Sequence, residues 1–234
     1  MIATFHKSEN RSDDITTFSF RPHSPIHYTA GQFVELTVKH ENQDNRGQKR
    51  WFTLSSSPKN EFLNITTRKA SDKSSSFKKA LWLLKPGDEV SISDPMGDFV
   101  MPKLNQTPLI FVAGGIGITP FISMLNWISD TSEERPIKLL HGVRREEDII
   151  FQDTFNKAKI HTTITVSEPS SAWGGERGRI TAEMILGLEK PDDNTLIYVS
   201  GPEPMVEALE NDLKKAGIKA SQLVLDFFPN YKEY

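Results

Sequence analysis

The first hundred residues contain short runs in which apolar and polar positions alternate. In the segment Gln32–Lys39, branched aliphatic residues occupy alternate positions, and Glu35 and Thr37 stand between them. Comparable runs, rich in β-branched and aromatic residues, are Ile15–Phe20, Trp51–Leu54, Phe62–Thr67 and Glu89–Ser93. Short strands at this spacing predict a small antiparallel barrel or sandwich.

A single helical pattern interrupts these strands. Phe77, Ala80, Leu81 and Leu84 stand at the spacing i, i+3, i+4 and i+7, which places them on one face of a helix. The sequence Lys-Pro-Gly-Asp that follows at 85–88 predicts the end of that helix.

After Pro102 the pattern changes to an alternation of strands and helices. Strands are predicted at Leu109–Ala113, Ile137–Leu140, Thr162–Val166, Leu196–Val199 and Leu223–Leu225. Helices are predicted at Pro120–Ser129, Ile149–Ala158 (opened by Asp148), Thr181–Leu186 and Pro202–Ala216. This alternation predicts a five-stranded parallel α/β sheet with helices on both faces. We therefore expect two domains, residues 1–102 and 103–234.

Composition and charge narrow the function classes. The 28 Lys and Arg residues against 31 Asp and Glu residues give a net charge of −3, which argues against a nucleic-acid-binding protein. The absence of cysteine excludes disulfides, thiolate metal sites, cysteine-ligated iron–sulfur clusters and a catalytic thiol. The six histidines lack metal-ligand spacing, so no metal site is predicted. No apolar run is long enough to span a bilayer, and the first six residues lack the apolar region of a signal peptide, so we expect a cytoplasmic protein without a membrane span. We also expect a monomer.

Two glycine-containing turns follow predicted parallel strands. Leu109–Ala113 leads into Gly114-Gly115-Ile116-Gly117-Ile118-Thr119-Pro120, with proline at the start of a helix. Such a turn lets a phosphate group approach bare backbone, and the helix N-terminus favours an anion there. Gly201 and Pro202 follow Leu196–Ser200 in the same way. The carboxyl edge of a parallel sheet is where open α/β folds bind ligands.

Three motifs in order resemble the signatures of the ferredoxin–NADP reductase superfamily. They are Arg50-Trp51-Phe52-Thr53, then Gly114–Pro120, then Ser200-Gly201-Pro202-Glu203-Pro204-Met205. The family patterns are Arg-x-aromatic-Ser/Thr, Gly-Gly-x-Gly-x-Thr-Pro and Cys-Gly-Pro-x-x-Met, and the match extends over nearly the whole chain. The resemblance implies an N-terminal antiparallel Greek-key β-barrel that binds FAD, followed by the α/β domain that binds NAD(P)H.

The resemblance also implies roles for individual residues in the barrel. Arg50 would pair with the FAD pyrophosphate, Phe52 would lie against the flavin, and Thr53 would bond the N5 edge, which receives hydride. The further FAD-binding residues implied are Trp51, Thr66, Thr67, Arg68, Ser74, Ser75 and Ser76, together with Phe228 or Tyr231 as a cover for the flavin ring. The sequence leaves the choice between these two C-terminal aromatic residues open.

In the second domain the resemblance implies a site for the nicotinamide nucleotide. Thr119 and Ser200 would lie at the nicotinamide, with Thr53 and Ser200 as the catalytic pair. The other implied contacts are Gly114, Gly115, Gly117, Arg144, Arg145, Gly201, Pro202 and Met205. The arginines favour the 2′-phosphate of NADPH, whereas Glu146 and Glu147 beside them favour NADH, and the choice stays open.

Two departures from the family pattern affect the expected chemistry. Ser200 replaces the cysteine common in the family, so a hydroxyl takes the place of a soft sulfur. Phe52 replaces a common tyrosine and so lacks one phenolic hydrogen bond. The expected activity is hydride transfer from NAD(P)H to FAD, followed by electron transfer to an acceptor such as ferredoxin, flavodoxin or an oxygenase component. The alternatives are reduction of free flavin or chelated iron, and a non-catalytic regulatory subunit.

Overall fold

A computed structural model describes residues 1–41, 43–69 and 74–228 of the chain. Its N-terminal part is a six-stranded antiparallel sheet with the strand order β4-β3-β6-β1-β2-β5. The strands are β1 (Ile2–Asn10), β2 (Ile15–Pro22), β3 (Phe33–Thr37), β4 (Lys49–Thr53), β5 (Leu63–Arg68) and β6 (Glu89–Ile92). An antiparallel bridge between Leu54 and Ile65 joins the two edge strands, so the sheet closes into the predicted barrel.

Strand β1 has no counterpart among the predicted strands. Only its first part faces the core, where Ala3 and Phe5 are buried, and residues 6–10 are exposed. Because alternation is confined to so few positions, the hydrophobic pattern does not reveal this strand. Nevertheless, β1 lies between β2 and β6 and is central to the sheet.

The predicted helix covers one end of the barrel. Helix α1 (Ser76–Leu83) begins after Ser75, whose side chain accepts a hydrogen bond from the backbone N–H of Lys78. Phe77 and Leu81 on this helix are fully buried against the barrel core. The spacing of apolar residues thus gives both the helix and the face that it buries.

The C-terminal part is a parallel sheet with the order β10-β9-β8-β7-β11-β12. Its strands are β7 (Leu109–Gly114), β8 (Ile137–Val143), β9 (His161–Val166), β10 (Glu176–Arg177), β11 (Leu196–Pro202) and β12 (Leu223–Phe228). The prediction of five strands was one short. The missing strand, β10, consists of only two residues, and both are exposed. It has no apolar pattern from which the sequence could predict a strand.

Helices cover both faces of this sheet, as predicted. They are α2 (Thr119–Thr131), α3 (Gln152–Ala158), α4 (Ala182–Leu188) and α5 (Glu203–Lys215). The predicted start of α3 at Ile149 was wrong. Glu146–Asp148 forms a 3-10 turn, and Phe151 has a φ of +65°, a left-handed conformation that delays the helix to Gln152.

The barrel and the parallel sheet share a continuous hydrophobic interface. Ile15, Ala30 and Phe99 belong to the same buried cluster as Phe121 of α2 and Tyr198 of β11. The Tyr198 hydroxyl also donates to the carbonyl oxygen of Val100 at 2.8 Å. The barrel strands end at Ile92 and the parallel strands begin at Leu109, so the boundary between residues 102 and 103 stays a prediction within the connecting segment.

Among the described residues, no helix is long and apolar enough to span a bilayer.

Candidate functional site

The two glycine turns meet at the carboxyl edge of the parallel sheet. The residues paired across the central strands are Ala113 of β7 and Ser200 of β11, just before each turn. A Cβ atom on Gly117 would lie 2.7 Å from the Cα atom of Gly201, closer than any real contact allows. Glycine is therefore required at position 117 for the two turns to touch, whether or not a ligand also contacts this residue.

Gly114 and Gly115 have different surroundings. A Cβ atom on Gly114 would overlap the side chain of Met205, so Met205 packs directly on the end of β7. Gly115 has a φ of +53°, and no atom lies within 4 Å of the position of its absent Cβ. The backbone of Gly115 is thus open to a ligand at the point where the chain turns toward α2.

The start of α2 completes this open turn. Thr119 is the first residue of the helix and is buried, and its hydroxyl donates to the carbonyl oxygen of Ile116 at 3.2 Å. Pro120 follows within the first helical turn, where a missing N–H costs nothing. An open left-handed glycine followed by a helix N-terminus is chemically suited to a phosphate group of a dinucleotide.

Ser200 lies beside a carboxylate that sequence reasoning did not include among the site residues. Its hydroxyl, which is fully buried, donates to Oδ2 of Asp226 at 3.3 Å. Burial raises the pKa of Asp226, and the hydrogen bond from Ser200 opposes that rise. The predicted strand Leu223–Leu225 was the signal that could have identified Asp226. If this strand is extended by one residue beside the parallel strand that contains Ser200, Asp226 lies opposite Ser200.

The barrel presents a row of hydroxyl groups near this edge. The Thr66 hydroxyl lies 2.9 Å from the hydroxyl of Thr17 and 3.0 Å from that of Ser55, and all three side chains are buried. Thr67 and Thr53 are also buried. Strand β5, which holds Thr66 and Thr67, contacts the turn at Gly115–Ile118.

Helix α2 donates two side-chain hydrogen bonds to the segment that follows β4. The Ser123 hydroxyl donates to the carbonyl oxygen of Ser56 at 2.6 Å. The Asn126 side-chain amide donates to the carbonyl oxygen of Ser55 at 3.4 Å. Since Thr53 precedes these residues by only two or three positions, the end of β4 is held against the helix that begins at the glycine turn.

Three members of the first motif have distinct environments. Arg50 is buried, with its guanidinium carbon 5.3 Å from the centre of the Phe77 ring. Its Nη1 donates to the carbonyl oxygens of Arg46 at 2.7 Å and Lys49 at 2.5 Å. Phe52 is half-buried and stacks on Phe77 at 5.9 Å between ring centres. Trp51 points outward and is 55% exposed.

The serines at the start of α1 already make hydrogen bonds within the chain. Ser75 caps the helix, whereas the backbone N–H of Ser76 donates to Oδ2 of Asp44 at 2.8 Å. Burial acts to raise the pKa of Asp44, but hydrogen bonds from Ser76 and Arg46 outweigh it and hold the pKa at about 2. A carboxylate anion therefore occupies the first turn of α1. Ser74 is half-buried beside it.

Arg68 connects the two parts of the molecule. Its Nη1 lies 2.6 Å from Oδ2 of Asp14 in the barrel, and its Nη2 lies 2.9 Å from Oδ1 of Asp148 beyond β8. Asp148 is buried, so this guanidinium compensates a charge at the interface. The side chain implied to bind FAD thus holds an ion pair between the barrel and the parallel sheet.

The arginines implied to select the nucleotide are exposed. Arg144 lies 3.0 Å from Glu168, and Arg145 lies 3.7 Å from Glu147. Both follow the end of β8, at the same edge of the sheet as the glycine turns. Their carboxylate partners are solvent-exposed, so these ion pairs are weak and open to exchange with a ligand.

The C-terminal residues are only partly described. Phe228 is the last residue of β12 and pairs with Pro202, while Tyr231 lies outside the described residues. Phe227 pairs with Gly201 and is 46% exposed, which places an additional aromatic side chain beside the second glycine turn.

Comparison with known proteins gives related sequences along most of the chain. The oxidoreductase NAD-binding domain family matches residues 111–211. NADH oxidoreductase HCR of Escherichia coli (strain K12) is 27% identical over 217 residues, 91% of this chain and 64% of that protein. A glycine betaine monooxygenase reductase subunit of Chromohalobacter salexigens is 30% identical over 223 residues, 89% of this chain and 58% of that protein. The chain therefore spans about three fifths of the length of these relatives.

The fold also matches a solved structure over its full length. The flavohem-like FAD/NAD-binding domain of nitric oxide dioxygenase from Vibrio cholerae O1 biovar El Tor superposes with a TM-score of 0.84 at 18% identity. The match covers 97% of this chain and 98% of that domain. The barrel, the parallel sheet and their order along the chain are therefore those of a known two-domain fold.

Proposed function

We propose that this chain is a member of the ferredoxin–NADP reductase superfamily and an oxidoreductase that transfers hydride from NAD(P)H to bound FAD and passes electrons to an acceptor protein. The main support is the contact between the two glycine turns beside Ser200 and Asp226, at the edge of the sheet that faces the barrel. In this proposal residues 1–102 bind FAD and residues 103–234 bind the nucleotide.

The nucleotide would bind across the carboxyl edge of the parallel sheet. Gly115 offers open backbone, and the N-terminus of α2 favours a pyrophosphate there. Thr119, Ser200 and Met205 would border the nicotinamide, and Arg144 and Arg145 would meet the adenosine end. The 2′-phosphate of NADPH would replace the exposed carboxylates as the partner of these arginines. This slightly favours NADPH over NADH.

FAD would bind along the barrel with its pyrophosphate near α1. The carboxylate of Asp44 already shows that the first turn of α1 accepts an anion, so the donor groups of Ser74, Ser75 and Ser76 suit a phosphate. Arg50 is buried beside Phe77, and its guanidinium would pair with the pyrophosphate. Thr53, Thr66, Thr67 and Arg68 would follow the flavin, with Trp51 and Phe52 on its flanks.

The chain's own residues would position and protect the reacting groups. When bound, the flavin and nicotinamide rings supply the hydride chemistry. The Ser200 hydroxyl, held by Asp226, would fix the orientation of the nicotinamide, and the Asp226 carboxylate favours positive charge at that place. Thr53 would donate or accept a hydrogen bond at the flavin edge, and an aromatic side chain from β12 or beyond would exclude water.

The acceptor is proposed from the relatives. One of them is a monooxygenase reductase subunit, so an oxygenase component is the first acceptor to test for this chain. The chain contains no cysteine, so electrons would leave from the flavin and not through a cysteine-ligated cluster within these residues.

An absorption spectrum followed by an anaerobic titration tests the proposal. The purified protein, supplied with excess FAD and then freed of unbound cofactor, should be yellow and should bleach on addition of NADPH or NADH. A protein that retains no flavin would overturn the proposal. Turnover with an iron–sulfur carrier compared with free riboflavin would then distinguish a protein acceptor from a small one.

A further inference from the structure

A fully buried histidine lies beside the open glycine turn. His141 of β8 stands opposite Ala113 of β7, one residue before the turn begins. Its side chain has no exposed surface, and its Nε2 lies 3.0 Å from the carbonyl oxygen of Gly115. Because a carbonyl oxygen can only accept, Nε2 carries the ring proton and Nδ1 is unprotonated.

The bond is made to the glycine whose backbone is open to a ligand. Gly115 adopts a left-handed φ of +53°, and its neighbouring peptide groups set the direction of the N–H groups at the start of the turn. A glycine in an open turn has many accessible conformations. A hydrogen bond from a buried ring is therefore an effective restraint on this one.

The second ring nitrogen of His141 is buried as well. Its Nδ1 has no hydrogen-bond partner among the described residues, and the same is true of Oδ2 of Asp148. Burial lowers the pKa of His141 to about 4, and the charge of Asp148 partly opposes this effect. Asp148 is held in turn by Arg68 of the barrel at 2.9 Å. A series of neighbouring groups therefore leads from the barrel through Asp148 and His141 to the glycine turn.

We propose that His141 is a positioning residue for the pyridine nucleotide, because its Nε2–H holds the Gly115 carbonyl and so orients the N–H groups that receive the nucleotide phosphates. This inference rests on the proposed function. His141 itself has no exposed surface, so it acts through Gly115 and makes no contact with the nucleotide.

Two substitutions separate the hydrogen bond from the volume of the ring. His141→Phe keeps a planar ring and removes the donor, whereas His141→Gln retains an N–H at a comparable distance from the backbone. Tyr198→Phe is the matched control, since it also removes one buried donor to a backbone carbonyl in the same sheet, at Val100 and away from the turn.

The dissociation constants of NADP⁺ and NAD⁺ are measured by isothermal titration calorimetry on the FAD-loaded proteins, together with the melting temperature. We expect His141→Phe to weaken nucleotide binding about two- to tenfold and His141→Gln to restore it to within about twofold. Tyr198→Phe should lower the melting temperature without changing either dissociation constant.

Equal affinity in His141→Phe and the unmodified protein would overturn the inference and leave the proposed function intact. If the unmodified protein binds neither nucleotide, the proposed function fails and the inference fails with it. Nitrogen-15 NMR of the unmodified protein gives a test that does not depend on a variant folding. A proton on Nδ1 of His141 in place of Nε2 would contradict the proposed bond.

Discussion

Ser200 and Asp226 are joined by a hydrogen bond of 3.3 Å across the ends of two parallel strands. They are direct partners in the register of β11 and β12, so their side chains leave the sheet on the same side. The pairing places a carboxylate beside Ser200, the residue that stands where the third sequence motif usually has cysteine. A buried serine held by a half-buried carboxylate is thus the local arrangement at the proposed nicotinamide site.

Replacement of Asp226 by asparagine should slow flavin reduction by NADPH about tenfold, because the variant lacks the anion that favours positive charge on the pyridine ring. Burial raises the pKa of Asp226, so the rate in the unmodified protein should increase with pH through an ionisation above the ordinary value of 3.8. Stopped-flow measurements across that range should show this ionisation only in the unmodified protein.

Asp193→Asn is the matched control, since this exposed carboxylate pairs with Lys219 on the surface. It should leave the rate and its pH profile unchanged. An Asp226→Asn variant with the pH profile of the unmodified protein would remove Asp226 from the proposed site.

Loss of the Arg68 guanidinium should destabilise the protein more than loss of one of its partners. Arg68→Ala leaves Asp148 as a buried charge without its guanidinium, and we expect the free energy of unfolding to fall by about 1–3 kcal/mol. Asp14→Asn removes a partly exposed pair and should cost less than about 1 kcal/mol. Urea unfolding measures both values.

The double variant Arg68→Ala/Asp148→Asn tests whether the uncompensated charge of Asp148 causes the loss of stability in Arg68→Ala. Because it removes the buried charge together with its partner, it should be more stable than Arg68→Ala alone. If the double variant is no more stable, the uncompensated charge of Asp148 is not the reason for the loss.

Alanine should have unequal effects at two glycines of the turn. At Gly117 the new methyl group would meet the backbone of Gly201, which cannot move away, and we expect a loss of more than about 2 kcal/mol in unfolding free energy. At Gly114 it would meet the flexible side chain of Met205, so the loss should be smaller. Thermal and urea unfolding of the two variants give the comparison, and equal losses would contradict this packing.

The burial of His141 should make stability depend on pH. Its pKa falls from 6.5 in the unfolded chain to about 4 in the folded protein. Between these values the unfolded chain binds a proton that the native protein does not, so unfolding becomes easier as the pH falls. The contribution is fully present above pH 6.5 and decreases by up to about 3 kcal/mol by pH 4.

His141→Gln should lack this dependence, because glutamine does not titrate. The difference in unfolding free energy between the two proteins, measured by urea at several pH values, isolates the histidine from the carboxylates that both share. Parallel pH profiles for the two proteins would show that the ring titrates normally.

Removal of the Asp44 charge should strengthen FAD binding. The carboxylate holds the N–H of Ser76 at 2.8 Å, and an ionised group there competes with a phosphate for the same helix terminus. Asp44→Asn should lower the dissociation constant of FAD about two- to tenfold, measured by the quenching of flavin fluorescence. Glu61→Gln, at an exposed carboxylate paired with Arg21, should have no effect. Weaker binding in Asp44→Asn would mean that the carboxylate supports the site.

Local patterns were sufficient for much of the fold and for the glycine turns on which the proposed site depends. The buried strand Leu109–Ala113, the glycines after it and Pro120 predicted a turn open to phosphate, and Gly115 has the expected exposure. The spacing of Phe77 and Leu81 predicted a helix and its buried face. These features depend on neighbours within a few residues, where periodicity and backbone preference act directly.

The amino-acid sequence by itself determined the two-part architecture, the glycine turns and the order of the three motifs. Tertiary structure alone decided that Asp226 meets Ser200, that His141 reaches Gly115 and that Arg68 joins Asp14 to Asp148. It also added β1 and β10 and delayed α3 to Gln152. The reason is physical, because alternation reports only which side of an element is buried, while contacts between distant residues depend on strand register and on the docking of whole elements.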